Sequence, residues 1–298
     1  MAQAVITHSS WGVERVLRSC AGPVRVVPLP YDKPVAVASQ PIVESDSEDF
    51  EILTIGHVNP NKRVESVIAA IAESPTLVAR ATYRVVGAVH PEMRSRVESI
   101  ARDRGVRLIV MGEVDDAELE AAVRRADVVS CLRWPCLEAA SASLVEALLW
   151  GKPTVVTDAG FYRDIPDDCV IKIRHDDEIA ELRSALEAVC TDPGRRDRLA
   201  RKGREWAART FVTSGYAREM VEIAADASRA TPFLRAASDL ATVLRSWRRS
   251  GPVPGMAEIA APFFERGWID AGVKPGKAPG AFAHPTVTTV HPYVMLNY

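Results

Sequence analysis

Long apolar runs are missing from this sequence. No stretch approaches the roughly 18–20 apolar residues that a membrane-spanning helix needs, and the N-terminal segment has neither the basic start nor the apolar core of a signal peptide. The lack of both features predicts a soluble, cytoplasmic protein without a transmembrane segment.

Cysteine is sparse, and its five occurrences show neither a regular spacing nor a C-x-x-C pair. Such a scattered set is typical of reducing compartments, where cysteine behaves as a small buried side chain. An excess of one charge is also missing, since 37 basic residues face 39 acidic ones and the net charge is -2. This balance gives no electrostatic reason to expect nucleic-acid binding.

What the chain does have is a hydrophobic content of 47% in 298 residues, enough for a packed core. Short β-branched runs alternate with stretches in which apolar residues recur at helical spacing. The predicted strands are Phe50–Ile55, Tyr83–Gly87, Arg107–Met111, Asp127–Cys131, Pro153–Thr157 and Cys169–Ile173. Apolar strands separated by helices predict an α/β fold with a doubly wound parallel sheet, in which ligands bind at the carboxyl ends of the strands.

One α/β domain is predicted over residues 50–230, and the segments on either side of it differ from it in composition. Residues 1–31 are predicted to hold a strand (Ala4–Thr7), a helix (Val13–Arg18) and a second strand (Val24–Pro28), and residues 32–49 have linker composition. A helical connector is predicted over 231–251, after a break at Thr231–Pro232. The tail, residues 252–298, is rich in proline and glycine.

The first candidate site is the loop that follows the predicted strand ending at Ile55. Gly56 permits a sharp turn. Lys62 and Arg63 stand near the start of the next helix, where free amide groups and the helix dipole favour an anion such as a diphosphate. Basic residues are also common at exposed helix starts that bind nothing, so the loop alone leaves both interpretations open.

The second candidate site is the loop and helix that follow the fourth predicted strand. Ser141 or Ser143 can cap a helix that runs to about Trp150. Glu138 precedes this helix and Glu146 lies one turn inside it. Ionised carboxylates accept short hydrogen bonds from ribose and sugar hydroxyls, yet two glutamates at this spacing also fit a solvated helix face.

Together the two loops resemble family 4 of the retaining glycosyltransferases with the GT-B fold. The family signature is a glutamate, seven residues, and a second glutamate that opens a small-residue helix and G-x-P, the order found from Glu138 through Glu146 to Pro153. The loop from Gly56 to Lys62 resembles the first phosphate loop of the family. The resemblance covers about residues 1–230, with His57 at a position where the family commonly has arginine.

The resemblance implies a UDP- or GDP-sugar as donor substrate, an unidentified acceptor, and neither a cofactor nor a bound metal. Glu138 would be the catalytic residue and contact the transferred sugar, while Glu146 would hold the ribose. Lys62, with Arg63, would neutralise the diphosphate. The implied donor-binding set also includes Gly56, Ser141, Ala142, Ser143 and Leu144, with backbone amides of residues 142–144 donating to phosphate.

Compared with a two-domain GT-B enzyme, the chain is expected to be truncated. Residues 1–31 resemble only the last strands of the N-terminal domain, which holds the acceptor and a catalytic histidine, and His8 does not occupy that position. An active glycosyltransferase and a non-catalytic nucleotide-binding fragment are therefore both possible. A bare interdomain face would favour self-association.

The tail resembles a different family, the oligoendopeptidase F branch of the M3 metallopeptidases. The matching segments include Phe263–Ala271 and His291–Tyr298. No two of the six histidines are four residues apart, so the zinc-binding H-E-x-x-H helix is missing. The resemblance implies a fusion with an inactive peptidase fragment, which is the third alternative for the chain.

Overall fold

The computed structural model describes residues 3–31 and 49–246. The predicted linker, apart from its last residue, and the predicted peptidase-like fragment lie outside these described residues. The described residues form two compact units. The larger contains residues 6–13 and 25–222, and the smaller contains residues 3–5, 14–24 and 223–246.

The N-terminal segment contains the predicted strand, helix and strand. These elements are β1 (Val5–Thr7), α1 (Val13–Leu17) and β2 (Val24–Val26), and the two strands pair in a small sheet. Within the larger unit, the backbone N–H and the hydroxyl of Ser10 both donate to the carboxylate of Asp164, at 2.6 and 2.5 Å.

A six-stranded parallel sheet forms the centre of the larger unit. Its strands are β3 (Phe50–Ile55), β4 (Ala81–Val86), β5 (Arg107–Gly112), β6 (Val128–Cys131), β7 (Thr154–Thr157) and β8 (Ile171–Ile173). They lie in the order β5-β4-β3-β6-β7-β8, and every neighbouring pair is parallel. The order reverses between β3 and β6, and in open α/β sheets ligands bind at the carboxyl ends of the strands beside such a reversal.

Helices cover both faces of the sheet. They are α2 (Val64–Ala72), α3 (Pro75–Arg80), α4 (Pro91–Asp103), α5 (Asp116–Arg125), α6 (Ala142–Leu149), α7 (Glu178–Thr191) and α8 (Pro193–Thr210). A further helix, α9 (Thr213–Ser246), follows α8, and most of its residues belong to the smaller unit. Side chains of β3 alternate between two cores, with Phe50 and Ile52 in one and Leu53 and Ile55 in the other. The predicted doubly wound α/β fold and its six strands are confirmed.

The predicted helix break at Thr231–Pro232 is wrong, because α9 continues through both residues to Ser246. Proline removes one backbone donor, so the carbonyl of Ser228 loses its helical partner. Ser228 is exposed, so solvent is available to its carbonyl, and the helix continues to Ser246. None of the helices that the structure describes is long and apolar enough to cross a lipid bilayer.

Candidate functional site

Glycines end the three adjacent strands β3, β4 and β5 at the carboxyl edge of the sheet. The N–H of Gly56 donates to the carbonyl of Val86, and that of Gly87 to the carbonyl of Gly112, both at 2.7 Å. Gly87 has a φ of 136°, and a Cβ added there would overlap the carbonyl group of Gly56. The ends of β3 and β4 therefore approach each other more closely than side chains would allow. Their backbone lies at the same edge of the sheet as the two predicted loops.

The loop after β3 is fixed by a capped 3-10 turn, Pro60–Lys62. The side chain of Asn59 caps the turn by accepting a hydrogen bond from the N–H of Asn61 at 3.0 Å, and Arg63 then takes the left-handed conformation with a φ of 56°. The carbonyl of Asn61 accepts the N–H of Trp134 at 2.9 Å. This bond ties the first predicted loop to the second.

The turn carries Lys62 back to the end of β3. Its side chain is 4% exposed, and its ammonium donates to the carbonyl of Ile55. The hydroxyl of Ser143, from α6, donates to the same carbonyl at 3.2 Å. A Cβ on Gly56 would lie 2.9 Å from the Lys62 nitrogen. Three of the residues predicted from sequence thus meet at one carbonyl group.

A second cation lies beside Lys62. Arg133 is 8% exposed, and its Nε lies 3.5 Å from an Oε2 of Glu138. Burial, followed by the positive charge of Arg133, lowers the pKa of Lys62 to about 8. Among the described residues, these two buried cations lie near one carboxylate, that of Glu138, and such an excess of positive charge favours an anion.

Sequence reasoning gave Arg133 no role. The available signal is its position directly after Leu132, at the carboxyl edge and at the start of the loop that contains Glu138. Its approach to Lys62, 71 positions earlier in the chain, depends on the pairing of β3 with β6.

Helix α6 begins at Ala142 and presents its N-terminus at the same edge. Ser141 is the cap, since its hydroxyl accepts the N–H of Leu144 at 3.3 Å, and this settles the choice between the two candidate serines. The first amides of a helix have no partner within it. Because Ser141 engages Leu144, the amides at Ala142 and Ser143 are the ones placed to bind a phosphate oxygen.

Glu146 lies in the second turn of α6 and is 7% exposed. Its Oε2 accepts a hydrogen bond of 2.6 Å from the hydroxyl of Tyr31. Burial and the contact with Glu146 raise the pKa of Tyr31 far above its ordinary value. The sequence offered no signal for Tyr31, which lies 115 positions before its partner.

The two remaining charged residues of the predicted site differ in environment. Glu138 has a 53% exposed side chain and is open to a ligand. The guanidinium of Arg63 instead pairs with the buried carboxylate of Glu178, through Nε and Nη2 at 2.9 Å each. The charge of Arg63 is therefore already matched, whereas Lys62 and Arg133 share one exposed carboxylate.

Within residues 3–31 and 49–246, no cluster of three or more histidine, cysteine, aspartate or glutamate side chains is arranged to hold a metal ion. The five cysteines are free.

Several solved structures share this architecture. Sucrose-phosphate synthase from Thermosynechococcus elongatus superposes with a TM-score of 0.61 and 23% identity, over 80% of this chain and 59% of that one. HepE of Anabaena, in complex with UDP and glucose, gives a TM-score of 0.61 and 19% identity, over 74% and 63%. WaaG, a glycosyltransferase involved in lipopolysaccharide biosynthesis, gives 0.56 and 22%, over 68% and 58%. The chain spans about three fifths of the length of these structures, and at such identities the likeness shows the fold.

Among curated protein sequences, none matches the chain significantly. The family model described as glycosyl transferases group 1 matches residues 38–206, more than half of the chain. The matched range contains both loops, the two buried cations and the two glutamates. The chain therefore belongs to the family of glycosyl transferases group 1.

Proposed function

We propose that the chain binds a nucleoside-diphosphate sugar and supports its transfer, with retention of configuration, to an acceptor hydroxyl. The observation that carries the proposal is the pair of buried cations, Lys62 and Arg133, at the end of β3 and beside the N-terminal turn of α6. A diphosphate supplies the negative charge that this arrangement favours.

The proposed chemistry uses these groups to stabilise the leaving group. When the bond between the anomeric carbon and the phosphate oxygen breaks, its electron pair remains on the diphosphate. Lys62, Arg133 and the amides at the start of α6 offset the developing charge. The acceptor oxygen bonds to the anomeric carbon on the face that the diphosphate leaves, and its proton passes to the departing diphosphate.

The two glutamates divide the rest of the donor between them. Glu138 is exposed and held beside Arg133, so its carboxylate suits the hydroxyls of the transferred sugar. Glu146 lies one turn further along α6 and suits the ribose. The complexes of HepE with UDP and with UDP-glucose support uracil as the base of the donor, and GDP is the alternative to test beside UDP.

Binding is tested first by titrating the purified chain with UDP and GDP and recording the melting temperature. One nucleotide is expected to raise it in proportion to the logarithm of its concentration, since it binds only the native state. Glu146→Gln is expected to weaken that nucleotide at least tenfold, because hydrogen bonds to an ionised group are lost. Glu205→Gln, an exposed glutamate of α8, is the matched control and should behave like the parent. If neither nucleotide shifts the parent at millimolar concentration, the proposal fails.

Turnover is tested by following nucleotide release from UDP-glucose and from a GDP-sugar. Glu138→Gln is expected to lower the turnover rate about tenfold while nucleotide affinity changes little, because this carboxylate is placed to contact the sugar rather than the diphosphate. The anomeric configuration of the product, read by NMR, tests retention. Nucleotide binding without any sugar transfer would favour the alternative of a non-catalytic binding fragment.

The peptidase-derived alternative rests on the tail, outside the described residues. Zinc-dependent cleavage of peptides by the purified chain is the result that would support it.

A further inference from the structure

The hydrogen bond between Tyr31 and Glu146 is not explained by the proposed donor site. It joins the phenol oxygen to the carboxylate Oε2 at 2.6 Å, the short distance of a hydrogen bond to an ionised acceptor. The same carboxylate is the group to which the proposed function assigns the ribose. Tyr31 therefore holds a position on Glu146 that a ligand also needs.

The phenol of Tyr31 is chemically equivalent to a sugar hydroxyl at this position. Burial, the contact with Glu146 and the negative charge of Asp116 all raise the pKa of Tyr31. An ordinary phenol is already protonated at neutral pH, so Tyr31 is a neutral O–H donor there. A ribose hydroxyl offers the carboxylate the same kind of hydrogen bond.

The surroundings of Tyr31 allow this exchange. Glu146 is 7% exposed while the Tyr31 contact is in place. A ligand hydroxyl therefore reaches Oε2 only after the phenol has moved aside. The backbone N–H of Tyr31 donates to the carbonyl of Phe211 at 3.4 Å, which is beyond the usual range for such a bond. The residue is half-buried, so moving its ring toward solvent costs less free energy than it would for a fully buried tyrosine.

We propose that Tyr31 is an internal competitor of the donor, which lowers nucleotide affinity by occupying the hydrogen-bonding position on Glu146 that a ribose hydroxyl takes on binding. The inference rests on the proposed function, because it requires the nucleoside at Glu146. Binding then exchanges one hydrogen bond for another, and Tyr31 offsets part of the affinity that the ribose contact with Glu146 adds. Release of the product nucleotide is favoured in the same measure.

The test is calorimetric titration of the parent and of Tyr31→Phe. Each protein is titrated with UDP and GDP and with the 2′,3′-dideoxy form of each nucleotide. Without the phenol oxygen, the ribose bond to Glu146 becomes a net gain, and the nucleotide that binds the parent is expected to bind about tenfold more tightly. Its dideoxy form has no hydroxyl to take the vacated position, so its affinity should not change. Without ligand, the melting temperature of Tyr31→Phe should lie below that of the parent, because the buried carboxylate of Glu146 loses a hydrogen bond. The affinity of the same variant for the nucleotide should rise.

Tyr216→Phe, a second tyrosine of the larger unit, is the control and should bind both forms like the parent. A variant that binds the ribonucleotide no more tightly than the parent overturns the inference and leaves the proposed function standing. An equal gain for the dideoxy form also overturns it, because a purely structural effect of the mutation would act on both ligands. If neither nucleotide binds either protein, the proposed function fails and the inference fails with it.

Discussion

Replacing Gly87 with alanine is expected to lower the free energy of unfolding by roughly 3–5 kcal/mol. The residue has a φ of 136°, and an added Cβ would overlap the carbonyl group of Gly56 and lie 2.9 Å from its Cα. Neither strand end can retreat, because hydrogen bonds of 2.7 Å hold Gly56 to Val86 and Gly87 to Gly112. Denaturant unfolding measures the loss, which corresponds to a fall of roughly 10 °C in melting temperature for a unit of this size.

Gly105→Ala provides the matched control. Gly105 also has a positive φ, 67°, but an added Cβ there would meet no heavy atom within 4 Å. The control should lose only the cost of the left-handed conformation, roughly 1–2 kcal/mol. The difference between the two variants then measures the close approach of the strand ends together with the less common φ of Gly87. Equal losses would show that Gly87 is needed for its backbone conformation alone.

The sheet could be predicted from the sequence because its strands are short apolar runs with helical segments between them. All six strands appear within two residues of their predicted starts, and the parallel arrangement follows from that alternation. The proposed position of the site comes from the same pattern, since ligands of such sheets bind at the carboxyl edge. The spacing of apolar residues therefore predicts the features that depend on short segments, which are the strands and their alternation with helices.

The contacts within the site could not be predicted in this way. Lys62 and Arg63 are adjacent and were assigned the same role, yet the left-handed conformation at Arg63 separates them. Lys62 bonds the carbonyl of Ile55, whereas Arg63 pairs with Glu178 on another helix. A backbone angle at one residue decided the outcome, and neither composition nor spacing reports that angle.

Long-range partners were missed for a related reason. The contact of Tyr31 with Glu146, across 115 positions, joins the N-terminal segment to α6. No periodicity links two such residues, because the contact exists only after the sheet has formed and α6 has packed on it. Helix α9 shows the opposite error, in which a local signal, Pro232, was given too much weight.

Affinity for UDP or GDP is expected to be level between pH 7 and 8 and to fall by up to tenfold per pH unit above about pH 8. Burial and the nearby Arg133 lower the pKa of Lys62 to about 8, so Lys62 loses its proton above that pH. A bound diphosphate favours the charged ammonium and raises this pKa, which means that binding takes up a proton in the interval between the two values. Calorimetric titration in buffers from pH 7 to 9.5 measures the slope.

Two variants assign that slope to its residue. Lys62→Met should bind on the order of a hundredfold more weakly at pH 7.5, through the loss of a buried charge contact, and its remaining affinity should not vary with pH. Lys152→Met should keep the parent's slope. Lys152 is also buried, with a pKa lowered to about 8, but it precedes β7 at the opposite edge of the sheet and donates to the carbonyl of Arg124 at 2.7 Å. A slope that survives in Lys62→Met and disappears in Lys152→Met would place the titrating group away from the diphosphate, and the buried cations at the end of β3 would then no longer support a donor site there.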